Sequence, residues 1–102
     1  MITVITNENY GEEVVKSSKP VIIDFWADWC GPCRMMSEVI DDIAETRQDI
    51  KVCKVNVDDE KDLAVKFAIS AIPTVMLVKE GVTAKTLVGY RTKEELLSEF
   101  GL

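Results

Sequence analysis

Cys30 and Cys33, separated by Gly31 and Pro32, are the residues of this chain whose type and spacing most directly permit chemistry. A Cys-x-x-Cys pair serves zinc, iron–sulfur or thiol–disulfide chemistry, and the gap of two residues lets the sulfurs meet. A tetrahedral metal site takes four ligands. Beyond this pair the chain offers Cys53 and no histidine, so zinc would need a second chain. The lack of histidine also removes the commonest general base and every Ser/His or Cys/His nucleophile pair. Proton transfer must then use a carboxylate, a lysine or a thiol.

The elements on either side of the pair give it its chemical setting. Before it, Val21-Ile22-Ile23-Asp24-Phe25-Trp26-Ala27 is almost continuously apolar, the pattern of a strand covered on both faces as in a parallel sheet. After it, Met36, Val39, Ile40, Ile43 and Ala44 recur at helical spacing, with Glu38, Asp41, Asp42 and Glu45 on the opposite face. The sulfurs therefore fall at a helix N-terminus, where unpaired N–H groups and the helix dipole favour a thiolate. Pro32 is tolerated in a first turn, and Gly31 leaves room for another chain to approach sulfur. Asp24 is the one acid inside the apolar run.

The rest of the chain supplies the frame. Ile2 to Ile5 reads as a strand, and Asn7 to about Ser17 as a helix with Glu8, Glu12 and Glu13 early and Lys16 late. Valine-rich Lys51 to Val57 reads as a strand, followed by a short helix opened by Asp58, Asp59 and Glu60 and carrying Leu63, Ala64 and Phe67. Thr74 to Val78 and Thr83 to Val88 flank Lys79-Glu80-Gly81 as an antiparallel hairpin. A last helix starts at a capping box, Thr92 to Glu95, with Leu96, Leu97 and Phe100 on its apolar face. The order is β-α-β-α-β-α-β-β-α, an α/β chain with no linker or repeat, and the expectation is one domain over residues 1–102.

Composition narrows the partners and the compartment. The net charge of −6 disfavours nucleic acid and anionic membrane surfaces. No apolar run approaches a membrane span, and the start lacks the basic and apolar regions of a secretory signal. Three cysteines, an odd count, fit a reducing compartment, so the expected location is cytoplasmic.

Trp29-Cys30-Gly31-Pro32-Cys33-Arg34 following the run Val21 to Ala27, then Ile72-Pro73-Thr74 and later Gly89, resembles the thioredoxin family over nearly the whole chain. The resemblance implies a mixed five-stranded sheet flanked by four helices. It also implies a disulfide reductase that holds no tightly bound cofactor and no metal, and that works as a monomer through a redox-active Cys30–Cys33 disulfide. Protein disulfides are the expected substrates, and a thioredoxin reductase linked to NADPH or ferredoxin the expected recharging partner. Alternatives on the same fold are a disulfide isomerase or oxidase, or a non-catalytic binding subunit; Gly31-Pro32 favours the reductase, since the oxidising relatives usually carry histidine there.

Within this reading Cys30 is the exposed nucleophile and Cys33 the more buried, protonated resolving thiol, which needs a base. Asp24 is the candidate, because burial in an apolar strand raises a carboxyl pKa; a structural ion pair of Asp24 with Lys54, which matches a family lysine near that aspartate, is a second reading, compatible with the first. Gly31, Pro32 and Lys54 are the residues expected to tune the pair. Ile72-Pro73 is expected to be cis and to lie opposite the cysteines, with Trp29, Gly31, Ile72, Pro73 and Gly89 forming the docking surface. Trp26 and Phe25 are expected in the core, and Cys53 as a small buried hydrophobe. Two positions depart from the family pattern: Glu38 stands where many members have a helix-kinking proline, and Ala71 where a glycine often precedes Ile72. Without that proline the long helix should run straighter.

Overall fold

In the computed structural model, which describes residues 1–102, the apolar run becomes β2 (Val21–Trp26), the middle strand of a five-stranded sheet. β3 (Lys51–Asn56) lies parallel to it on one side and carries β1 (Ile2–Val4), also parallel, at the edge. On the other side β4 (Thr74–Lys79) is antiparallel to β2, and β5 (Val82–Val88) is antiparallel to β4. The order β1-β3-β2-β4-β5 is the mixed sheet the resemblance implies.

Both faces of the sheet are covered, which is why β2 reads as unbroken apolar sequence rather than an alternation. Side chains alternate between the faces. Ile22, Val52, Val75 and Leu77 pack with Met36, Ile40 and Ile43 of α1 (Gly31–Thr46) and with Leu96 and Phe100 of α3 (Lys93–Phe100). Ile23, Phe25, Cys53, Val55 and Met76 pack on the opposite face with Tyr10, Val14 and Leu63, the last from α2 (Lys61–Lys66). By this alternation Asp24 lies on the face of Ile22, beneath α1, and Lys54 of β3 lies on that face as the register partner of Asp24.

Two helices differ from expectation. The first is a π-helical segment, Gly11–Val15, closed by the Lys16 N–H donating to the Gly11 carbonyl, instead of an α-helix from Asn7 to Ser17. Its approach is occupied by local bonds: the Asn9 side chain accepts from the Thr6 N–H at 2.8 Å and donates to the Val4 carbonyl at 2.9 Å, and Gly11 adds little helical preference. The second, α2, begins at Lys61 and not at Asp58, because the Asn56 side chain accepts from the N–H groups of Asp58 and Asp59 and holds them in a turn. Phe67 lies just past its end.

The other predicted elements form. α1 is one uninterrupted α-helix with Glu38 on its exposed side. The β4–β5 turn is built on Glu80 and Gly81, at φ 51° and 77°, the left-handed pair that a two-residue hairpin requires. Thr92 and Glu95 form both bonds of the capping box at the start of α3. No helix is long and apolar enough to cross a membrane.

Candidate active site

Cys30 is the N-cap of α1, and its sulfur accepts a hydrogen bond from the Cys33 N–H at 3.2 Å. Pro32 occupies the first turn, where no N–H is needed. The two cysteines are joined in a disulfide, with Cα atoms 5.3 Å apart. The strand-to-helix loop is held by the Cys30 N–H donating to the Ala27 carbonyl and by Arg34 donating to the Asp28 carbonyl. The same N–H that caps the helix thus points at the sulfur on which negative charge would develop after reduction.

The expected contrast in exposure between the two sulfurs is corrected: Cys30 is 5% exposed and Cys33 3%, so both are buried. Bonded to each other and tucked into the helix start, neither residue projects into solvent. What distinguishes Cys30 is its surroundings. Its sulfur lies 3.8 Å from the Ile72 carbonyl oxygen, and a Cβ placed on Gly31 would meet nothing within 4 Å, so the approach beside it is open.

Ile72-Pro73 is a cis peptide, as the resemblance implies. Pro73 is buried, and its carbonyl accepts from the Gly89 N–H at 2.8 Å, which ties the end of β5 to the loop facing the cysteines. Gly89 has φ 92°, a conformation that glycine adopts without penalty. Trp29 is 69% exposed, with its indole N–H donating to Asp58 at 2.9 Å. Trp29 and Ile72 line a largely apolar groove of about 430 Å³ together with Val57, Ile69, Ser70 and Ala71. Of the last four, Ala71 is noted in the sequence only as a departure from the family pattern and Val57 only as the end of a predicted strand; Ile69, an apolar residue just outside a predicted helix, was the available signal for the rest.

Asp24 is fully buried, and neither of its carboxylate oxygens has a hydrogen-bond partner. Burial pushes its pKa up to about 7, against the opposing pull of the Lys54 charge and with a smaller upward push from Asp41. The second reading, an ion pair of Asp24 with Lys54, is not what the structure contains. The Lys54 ammonium donates instead to the Ser37 hydroxyl at 2.6 Å and lies 3.5 Å from Asp41. A cavity of about 150 Å³ is lined by Trp26, Cys33, Arg34, Ser37 and Lys54, together with Ala27 and Asp28. Trp26 is half-buried there, whereas Phe25 is in the core. Ser37 went unnoticed in the sequence and Asp41 was read only as part of the polar face, although they follow Cys33 at steps of four and so share its side of α1.

Cys53 is fully buried on β3, and burial pushes its thiol pKa up to about 11, the behaviour of a packing residue. No group of three or more His, Cys, Asp and Glu side chains is placed to hold a metal ion.

A vicinal cysteine pair at the head of a helix, packed on a mixed sheet opposite a cis-proline loop, defines a thiol–disulfide oxidoreductase. Comparison with known proteins narrows the class. The family model for thioredoxin matches residues 1–100. Thioredoxin 1 of Synechococcus elongatus is 45% identical over 93 residues, covering 90% of this chain and 87% of its own. The thioredoxin of Alicyclobacillus acidocaldarius is 44% identical over 93 residues, covering 90% and 88%, and that of Pseudomonas aeruginosa is 41% identical over 93 residues, covering 90% and 86%. The chain belongs to the thioredoxin family, and its activity is that of a protein-disulfide reductase.

Proposed function

We propose that Cys30 is the nucleophile, Cys33 the resolving thiol and Asp24 the group that accepts the Cys33 proton. The Cys30 thiolate attacks one sulfur of a substrate disulfide, that S–S bond breaks, and the first substrate thiolate leaves. As Asp24 takes its proton, Cys33 attacks Cys30 in the mixed disulfide, expels the second substrate thiolate and closes the Cys30–Cys33 disulfide. The observation that carries this division of labour is the unpartnered Asp24 carboxylate, sealed in an apolar strand with a pKa of about 7, which makes it a usable acceptor near neutral pH. The Cys33 N–H aimed at the Cys30 sulfur supports Cys30 as the more stable thiolate.

Trp29, Gly31, Ile72, Pro73 and Gly89 form the proposed docking surface, with the open space at Gly31 and the apolar groove beside Trp29 as its support. Gly31, Pro32 and Lys54 tune the pair. The domain spans residues 1–102 and acts as a monomer in the cytoplasm, where it carries electrons from an NADPH- or ferredoxin-linked reductase to protein disulfides and maintains redox homeostasis. Neither a tightly bound cofactor nor a metal takes part, and net charge −6 disfavours nucleic acid and membrane partners.

The test is Asp24→Asn, assayed with saturating reductase across roughly pH 6 to 9, a range around the neutral optimum of a catalytic base. Turnover should fall while the fold survives; unchanged rates across that range would remove Asp24 from proton transfer. The reducing role is checked by the equilibrium potential of the Cys30/Cys33 pair, expected at about −250 mV or below, the established region for thioredoxins, against about −180 mV for isomerases.

A further inference from the structure

Asp24 and Lys54 sit side by side on adjacent parallel strands, on the same face of the sheet, yet they do not pair. An isolated carboxylate in an apolar interior is a strong attractor for a neighbouring ammonium, so something must restrain Lys54. The restraint comes from α1. Ser37 accepts from the Lys54 ammonium at 2.6 Å, and Asp41, one turn further along, lies 3.5 Å from it. The two anchors are unequal: the Ser37 bond is short and half-buried, whereas Asp41 is an exposed carboxylate at the limit of contact.

We infer that Ser37 is a positioning residue whose hydroxyl, seconded by Asp41, holds the Lys54 ammonium against α1 and thereby keeps Asp24 unpaired. The charges that act on Asp24 are few. Lys54 reaches it from β3 and Asp41 from α1, its register partner on β4 is the apolar Val75, and Cys33 on α1 does not titrate while it is in the disulfide. Without the Ser37 hydroxyl, the acceptor on this face that lacks any partner is Asp24 itself. Lys54 would then turn toward it, and an opposite charge at contact distance lowers a carboxyl pKa by about 1–3. Ser37 thus keeps the acceptor basic at neutral pH. Its catalytic consequence rests on the reading of Asp24 as the Cys33 proton acceptor, but its effect on Asp24 does not.

The experiment is a carboxyl-carbon NMR titration of Asp24 in the oxidised protein, comparing the parent with Ser37→Ala, Ser37→Thr and Ser37→Ala/Lys54→Met, the last against Lys54→Met alone. The Asp24 midpoint should drop by about one pH unit or more in Ser37→Ala. It should stay with the parent in Ser37→Thr, which keeps a hydroxyl, and Ser37→Ala should have no effect once Lys54 is methionine. A Ser37→Ala midpoint that is unchanged or higher overturns the inference, as does a drop that persists in the Lys54→Met background. Turnover against pH, measured on the same variants, separates the two claims. A midpoint that moves without the pH profile moving upholds Ser37 as the anchor of Lys54 and overturns Asp24 as the acceptor.

Discussion

At the scale of single residues, the burial of Asp24 has a thermodynamic consequence independent of its proposed role in turnover. Its pKa is about 7 in the folded protein against 3.8 for an exposed aspartate. Below the lower value both states are protonated and folding is unaffected. Between the two, the folded state keeps a proton that the unfolded chain releases, so stability falls as pH rises; above the higher value the full loss is present, about 4 kcal/mol. Asp24→Asn removes this slope. Denaturant unfolding of parent and variant should therefore diverge in favour of the variant by up to about 4 kcal/mol between roughly pH 4 and pH 8. A constant difference across that window would mean that the carboxylate is not desolvated. Under the proposed role one residue sets two opposing demands, since the ionised form that would receive the Cys33 proton is also the form that the core tolerates least.

At the scale of elements, the local signals that fix chain direction can be tested one by one. Thr92→Ala deletes one bond of the capping box and should lower stability by about 1 kcal/mol, read as a shift in the denaturant midpoint with unchanged slope. Gly81→Ala forces a side chain onto a residue at φ 77° and brings its Cβ to 3.1 Å from Val15, so it should destabilise by about 1–3 kcal/mol while Gly101→Ala, with open space around it, should cost less. These elements were legible because their signals are local: a Thr-x-x-Glu box, a Glu-Gly turn, an apolar run with no polar alternation. The cysteine pair was legible for the same reason. The first helix was misread because Tyr10 and Val14 show helical spacing while the deciding bonds, from Asn9 to Thr6 and Val4, leave no periodic trace. The ion pair of Lys54 with Asp24, expected from the family resemblance, does not form: strand register does bring the two side by side, but the anchors of Lys54 come from α1, across the layer. Contacts between layers depend on packing that no single segment encodes.

At the scale of the whole molecule, the exposed edge of β5 is the feature most open to unwanted association, and it is managed by charge. Lys79 and Lys85 lie in or beside it, and the Lys85 ammonium is tied to the Glu99 carbonyl of α3 at 3.1 Å. Sedimentation at tens of micromolar should return a single species near 11.4 kDa, and a concentration-dependent dimer would show that the edge is not protected. The third cysteine adds something to the molecule as a whole. Cys53 stands inside the sheet, on β3 between β1 and β2 and sealed on its own face, so a thiol reagent can reach it only when the layers come apart. Its labelling rate is therefore a clock for global opening that the protein carries without any added probe. Run once with the Cys30–Cys33 bridge closed and once with it open, with the labelled site identified by mass, that clock reads how strongly the redox state of one small loop is felt by the entire fold.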